Sequence, residues 1–212
     1  FVRHEPEKIG EFLKKAEEDL GLEIRLDKVY ETALFTEAKK RYAGLLPDGR
    51  LDIVGLEVAR GDWSEAAKRA QEKVLEIVLR ERAPEKATAF IHQYIRDLIA
   101  KRIPYRDLII WKTLTKPPSE YEVRAPHVEA AKILLERGWE LGVDDKIGFV
   151  ITKGKGKLYE RAAPYSLSSH DEVDMEYYVE NQIIPTAHRV LAIFKVSKED
   201  LRPQAPIDKF LK

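Results

Sequence analysis

Cysteine is absent from the 212 residues and methionine occurs once. No disulfide and no cysteine-ligated metal can form in such a chain. Net charge is absent too, since 37 Lys+Arg stand against 37 Asp+Glu. Any polyanionic partner must therefore be met by cations gathered on one face. No apolar run approaches the roughly 20 residues of a membrane helix, and no signal peptide is recognisable. The five histidines are scattered without His-x-x-x-His spacing, which predicts no zinc site. What the chain does have is charge, 35% of residues, over a 44% hydrophobic complement. That is enough for a real core, in one large domain or one and a half ordinary ones. A charged surface with few labile residues fits growth at high temperature.

The hydrophobic pattern predicts an α+β chain with a mostly antiparallel sheet. Ile9, Phe12, Leu13, Ala16 and Leu20 form one helical stripe over residues 6–20, with Pro6 in the first turn and Gly21 as the stop. Residues 22–30 alternate strictly and predict a half-buried strand, with Leu22, Ile24 and Leu26 on one side. A short strand at 33–36 leads into Lys39-Lys40-Arg41-Tyr42-Ala43-Gly44, which also reads as strand. Pro47-Asp48-Gly49 is a turn, since proline presets φ and glycine accepts positive φ. Residues 51–58 return as the partner strand.

The second half reads as mainly helical, with short strands. Residues 63–82 predict a helix opened by an Asp62-x-x-Glu65 capping box, with Trp63, Ala66, Ala70, Val74, Ile77 and Val78 inward. Pro84 opens a helix to 102, and the two form an antiparallel pair. Residues 107–113 read as a short buried strand. A helix over 126–137 starts at Pro126, with Val128, Ala131, Leu134 and Leu135 inward. Residues 147–152 are a strand. Residues 174–194 form a long helix that Pro185 should kink. Asn181 and Gln182 within it read as structural.

Three stretches are candidates for binding a polyanion. Alternation along a strand would put Lys40 and Tyr42 on one face and Lys39 and Arg41 on the other. Such a hairpin suits a polyanion lying across the sheet, or is a lysine-rich solvated edge. The helix start at Pro126 offers unpaired amides to phosphate, beside Arg124 and His127; His127 also suits a packing role. Lys153-Gly154-Lys155-Gly156-Lys157 is a flexible cationic loop without the spacing of a nucleotide P-loop.

Taken in order, four stretches resemble the end of the palm and the thumb of archaeal family B DNA polymerases. They are Lys39 to Tyr42; Gly55-Leu56-Glu57 with Arg60, Asp62 and Trp63; Ala125-Pro126-His127-Val128 with Ala130, Ala131 and Lys132; and Glu176-Tyr177-Tyr178 with Glu180, Asn181, Gln182 and Pro185. The resemblance runs from about residue 22 to the C-terminus. It implies a palm remainder over 1–62, a thumb over 63–195 and a tail over 196–212. It also implies template-directed nucleotidyl transfer with two Mg²⁺ ions held mostly outside this chain. The opening Phe1-Val2-Arg3-His4 reads like the tail of a strand, so the main catalytic aspartates are expected upstream. The chain looks most like the small subunit of a polymerase split in two, inactive without a large subunit carrying exonuclease, fingers and most of the palm. Such a heterodimer would work in the cytoplasm, at the nucleoid. The other class is a non-catalytic DNA- and sliding-clamp-binding accessory protein.

By the same resemblance, Asp27 takes the position of an acidic residue beside the metal site. Arg25 stands where some members have a second acid. The implied DNA contacts are Lys39, Lys40, Arg41, Tyr42, Arg60, Arg124, His127, Lys153 and Lys155. Near the C-terminus, Gln204, Ile207, Phe210 and Leu211 resemble the sliding-clamp (PCNA-type) binding box. In one helical turn the last three would form a single apolar plug.

Overall fold

Helix α1 covers Pro6–Leu20, as the periodicity predicts. The computed structural model describes residues 6–203. Only Ala16 of the α1 stripe is buried, while Phe12 and Leu20 are exposed.

The predicted strand over 22–30 is not a strand. The segment joins no ladder, and Leu22, Ile24 and Leu26 are exposed. A strand is held by hydrogen bonds to a neighbour, and none among the described residues lies alongside. Its end is anchored by Tyr30, whose ring occupies the space over Gly44. A Cβ on Gly44 would lie 2.2 Å from that ring. The Tyr30 hydroxyl donates to Asp52, which also receives Lys28.

The first sheet orders β1 (Thr32–Phe35), β2 (Tyr42–Leu45) and β3 (Leu51–Val54) antiparallel, with Phe35 opposite Tyr42 and Tyr42 opposite Val54. The Pro47-Asp48-Gly49 turn forms as predicted, with Gly49 at φ 82°. The cationic run is a correction: Lys39 and Lys40 lie in the turn between β1 and β2, not in a strand. Lys40 has φ 60°, and the Thr36 amide closes the turn onto the Arg41 carbonyl at 3.1 Å. Gly55, at φ 67°, backs this turn so closely that a Cβ would sit 2.2 Å from the Lys40 carbonyl oxygen. That approach ends β3 at Val54, four residues short of the predicted strand end. A 3₁₀ turn over Glu57–Ala59 follows.

Helix α2 spans Glu65–Glu76 and continues as a π segment over Ile77–Glu81. Its cap is Ser64, whose hydroxyl accepts from the Ala67 amide at 3.3 Å. Asp62 is not the cap, because its carboxylate is held by Arg60. Helix α3 spans Pro84–Ile99. The final helix is broken into α5 (Met175–Tyr178), a π segment (Val179–Ile183) and α6 (Ile184–Leu191). The break falls where Pro185 lacks an amide and its ring crowds the preceding turn. The Thr186 hydroxyl donates to the Gln182 and Ile183 carbonyls there, at 2.9 Å each. Ala66, Ala70 and Val74 of α2, Ile91 and Ile95 of α3, and Ala187 and Val190 of α6 build the core between them.

A second sheet orders β4 (Ile110–Thr113), β5 (Lys146–Ile151) and β6 (Ala162–Pro164) antiparallel, with α4 (Pro126–Glu136) against β5 and β6. The predicted buried strand over 107–113 is shorter than expected. A 3₁₀ turn takes Tyr105–Leu108, and Trp111 and Lys112 of the edge strand β4 face solvent. Leu135 is also exposed rather than inward. Tyr178 ties this sheet to the helices: its buried hydroxyl accepts from the Ile151 amide of β5 at 3.4 Å and donates to the Leu108 carbonyl, in the turn before β4, at 2.7 Å.

One buried carboxylate joins the turn before β2 to helices α2 and α6. Glu57 is fully buried. Its Oε2 accepts from Gln71 at 2.7 Å. Its Oε1 lies 2.7 Å from Arg189 Nε and 3.8 Å from Arg41 Nη1. The Arg189 contact is close but not aligned as a hydrogen bond, so it acts through charge. Gln71 in turn accepts from the Val58 amide and donates to the Thr186 carbonyl, both at 2.9 Å. Removing one partner of a buried ion pair leaves uncompensated charge. Glu57→Ala is expected to lower unfolding stability by about 3 kcal/mol, the low end of the usual loss because both arginines reach partly to solvent. Lys73→Ala, breaking an exposed pair with Glu76, should cost under about 1 kcal/mol. Urea denaturation checks both, and similar losses for the two variants would contradict the role of the buried carboxylate.

Candidate nucleic-acid interface

A groove of about 810 Å³ opens where the end of the Glu57–Ala59 turn, α2 and the edge of the second sheet meet. It is lined by Arg60, Gly61, Asp62, Lys68, Trp111, Lys112, Thr113, Thr115 and Lys146. Four cations thus face one carboxylate. Asp62 receives Arg60 in two bonds, at 3.1 and 2.9 Å, and lies 3.7 Å from Lys112. The Arg60 guanidinium, with help from Lys112, holds the Asp62 carboxyl below its ordinary range. Lys68 leans on Glu65 at 2.7 Å. Lys146 has no carboxylate partner among the described residues. Cations, threonine hydroxyls and an indole in one groove can hold a phosphodiester chain.

His127 stands in the first turn of α4, edge-on to Tyr121 at 5.7 Å between ring centres. Its pKa is lowered, first by burial and then by the charge of Lys112, so the ring is neutral near pH 7. Arg124 is occupied elsewhere: it binds Glu129 at 3.0 Å and lies 4.3 Å over the Tyr159 ring. Lys153 donates to the Asp171 carbonyl at 2.9 Å. Lys155 is exposed and meets no carboxylate among the described residues.

The basic turn lies on the first sheet. Lys39 and Lys40 are exposed and meet no carboxylate among the described residues, whereas Arg41 turns inward to Glu57. Tyr42 packs against Tyr30 and Phe35, with ring centres 6.4 and 5.7 Å away. Beside this turn a cleft of about 630 Å³ runs between Phe35–Ala38 and His188, Arg189, Ala192, Ile193 and Lys198 of the last helix and its sequel. Asp27 is exposed. No group of three His, Cys, Asp or Glu among the described residues is placed to hold a metal. The described residues therefore do not by themselves fit a divalent ion. Gln204, Ile207, Phe210 and Leu211 lie outside the described residues. Among the described residues no helix is long and apolar enough to cross a membrane.

The sequence profile of DNA polymerase family B matches residues 6–194. The chain belongs to DNA polymerase family B. It is 48% identical to DNA polymerase 2 of Aeropyrum pernix over 95% of its own length and 25% of that protein's. It is 38% identical to the DNA polymerase of Archaeoglobus fulgidus over 96% of the chain and 28% of that protein. Among solved structures, the family B DNA polymerase of the hyperthermophilic archaeon Pyrobaculum calidifontis superposes with a TM-score of 0.72 at 44% identity, covering 88% of this chain and 24% of that one. The chain thus spans about a quarter of the length of these relatives.

Lys68, Trp111, Lys112 and Lys146 of the groove escaped the sequence analysis. Lys68 and Lys146 sit among ordinary charged neighbours, and Trp111-Lys112 closes an apolar run that reads as core. The only local signal was the lysine inside that run.

The placement of His127 has a measurable consequence. Protonating it is opposed in the folded chain, so the unfolded chain binds the proton first, near the ordinary pKa of about 6.5. The stability associated with neutral His127 is present above that pH and is lost as pH falls. NMR titration should place His127 below the ordinary value, and Lys112→Gln should raise it part of the way back. An unchanged titration in Lys112→Gln would show that the lysine charge does not reach the ring.

Proposed function

We propose that this chain is the DNA-gripping part of a template-directed DNA polymerase, working with a separate large polypeptide that carries the catalytic centre. In this reading residues 1–62 complete the palm, residues 63–195 form the thumb, and the tail from 196 carries a clamp tether. The observation that carries the reading is the groove: four cations, two threonines and an indole set around a single carboxylate, in a chain of zero net charge. Backbone contacts of this kind position a duplex without reading its sequence. The exposed Lys39–Lys40 turn adds a second cationic contact. A lysine there can meet minor-groove acceptors, which lie in similar places for every base pair.

The partner is supported by what α1 and the segment after it leave open. Phe12, Leu20, Leu22, Ile24 and Leu26 are all exposed, an apolar stripe of the kind that marks an interaction surface. Since the described residues do not form a metal site, the Mg²⁺ ions that drive nucleotidyl transfer would be held mainly by that partner, with Asp27 at most an outer carboxylate. The ions would neutralise developing phosphate charge. This chain's own residues bind and orient the duplex. Primer extension should therefore appear only when the chain and its large partner are mixed. Extension by this chain alone, or by the partner at undiminished rate, would overturn the division of labour.

Duplex binding should be steep in salt and blind to sequence, because each neutralised phosphate releases counterions. Lys112→Ala, Lys146→Ala and Lys40→Ala should each reduce the slope of log affinity against log salt by about 1. Slopes equal to wild type would place the duplex elsewhere.

The tail prediction rests on the box at Gln204, Ile207, Phe210 and Leu211. Deleting 204–212 should abolish stimulation of the two-subunit enzyme by a sliding clamp and spare extension without it. Full stimulation of the truncated enzyme would exclude the tail as tether.

A further inference from the structure

Trp111 is the one aromatic residue in the groove lining, and its support is specific. It lies on the edge strand β4, opposite Gly148 of β5. The absence of a side chain at Gly148 lets two rings close over the backbone. A Cβ there would fall 2.8 Å from the six-membered ring of Trp111 and 2.7 Å from the Tyr165 ring. Trp111 and Tyr165 sit 5.3 Å apart between ring centres, tilted by 56°. The indole is thus held from below by backbone and from one side by a tyrosine. It remains 38% exposed, toward a groove that also presents Arg60, Lys112 and Lys146.

A duplex offers its phosphates to such a groove but keeps its bases stacked inside. An exposed, supported indole between cations matches the way unpaired strands are held: bases stack on aromatic rings while lysines and arginines follow the backbone. The geometry points to Trp111 as a stacking platform for an unpaired nucleotide, with Lys112, Lys146 and Arg60 on the flanking phosphates. The ligand class is single-stranded DNA, bound without base preference because every base presents a π-face. This rests on the groove being the DNA contact of the chain and assigns the strand state that it takes. A primer end that has come unpaired, or a template strand beyond the duplex, would meet that description.

The test uses the full chain with Trp63→Phe and Trp139→Phe, so that Trp111 is the sole tryptophan, and affinities are read from the anisotropy of end-labelled probes. The probes are an oligodeoxythymidylate of about a dozen nucleotides, within the usual site size of stacking grooves, and a blunt-ended duplex of similar charge. Quenching of Trp111 by the single strand is expected. In Trp111→Ala the ratio of single-strand to duplex affinity should fall at least fivefold, and Trp111→Phe should restore it. Circular dichroism confirms that the variants fold, and Trp111→Leu substitutes if the alanine variant does not. If the ratio is unchanged in the alanine or leucine variant, or if phenylalanine fails to restore it, the platform is excluded while the duplex-binding groove stands. If the duplex quenches Trp111 and suffers as much as the single strand, the single-strand assignment is overturned. If the unsubstituted chain binds neither probe at low salt, the groove itself is not a DNA site and both readings fall.

Discussion

The buried carboxylate of Glu57 is the constraint from which the rest of the arrangement follows. A carboxylate stripped of water cannot remain charged unless donors and cations replace its hydration. Here the replacements come from three places: Arg41 at the end of the basic turn, Gln71 in α2 and Arg189 in α6. Satisfying one side chain therefore fixes the distance between the first sheet and the helical core. Arg60 follows only three residues after Glu57 and enters the groove paired to Asp62. The basic turn and one wall of the groove are thus held from a common point. Arg41 belongs to the cationic run, yet its side chain works inside the protein, while Lys39 and Lys40 beside it face outward.

The residues that carry the likeness to polymerases divide in the same way. Gln182 is buried and accepts from both the Ser64 amide and its hydroxyl, at 3.1 Å each. It therefore holds the N-terminus of α2 against the last helix. Tyr178 holds the second sheet through the Ile151 amide and the turn before it through the Leu108 carbonyl. Neither touches the groove. Their part in the proposed binding is indirect: a groove that held a phosphodiester backbone by charge would need its cations at fixed spacing. Gly55 and Gly148 serve similarly by lacking side chains, one beneath the Lys40 carbonyl and the other beneath Trp111.

The helices were legible because α2, α3 and α6 carry apolar stripes whose period survives any tertiary context. Their ends were less so. Asp62 and Ser64 are both good cap residues, and the choice was made by Arg60, which claims Asp62 through space. The alternation over 22–30 satisfies the strand pattern, but a ladder also needs a neighbour, which the pattern does not encode. The turn at Lys40 was hidden because lysine gives no hint of positive φ; the cause is Gly55, fifteen positions away. The groove was the least visible feature. Its cations come from four separate segments, and only the register of β4 on β5 and the packing of α2 bring them together.

The bond between Ser64 and Gln182 joins positions 118 apart, and that between Gln71 and Thr186 joins positions 115 apart. A nascent chain emerges from the N-terminus at roughly 5–20 residues per second. The amide end of α2, and the side of Glu57 that meets Arg189, must therefore wait for over a hundred further residues before their partners exist. Contacts that span most of a chain also slow folding, because the intervening loop must close before they form. During synthesis the early hairpin and α2 are thus exposed without the last helix, and their native order is set only when residues 175–191 have been made. The packing that fixes the Arg60 wall of the groove is in this sense completed only after the groove's own residues have all been made.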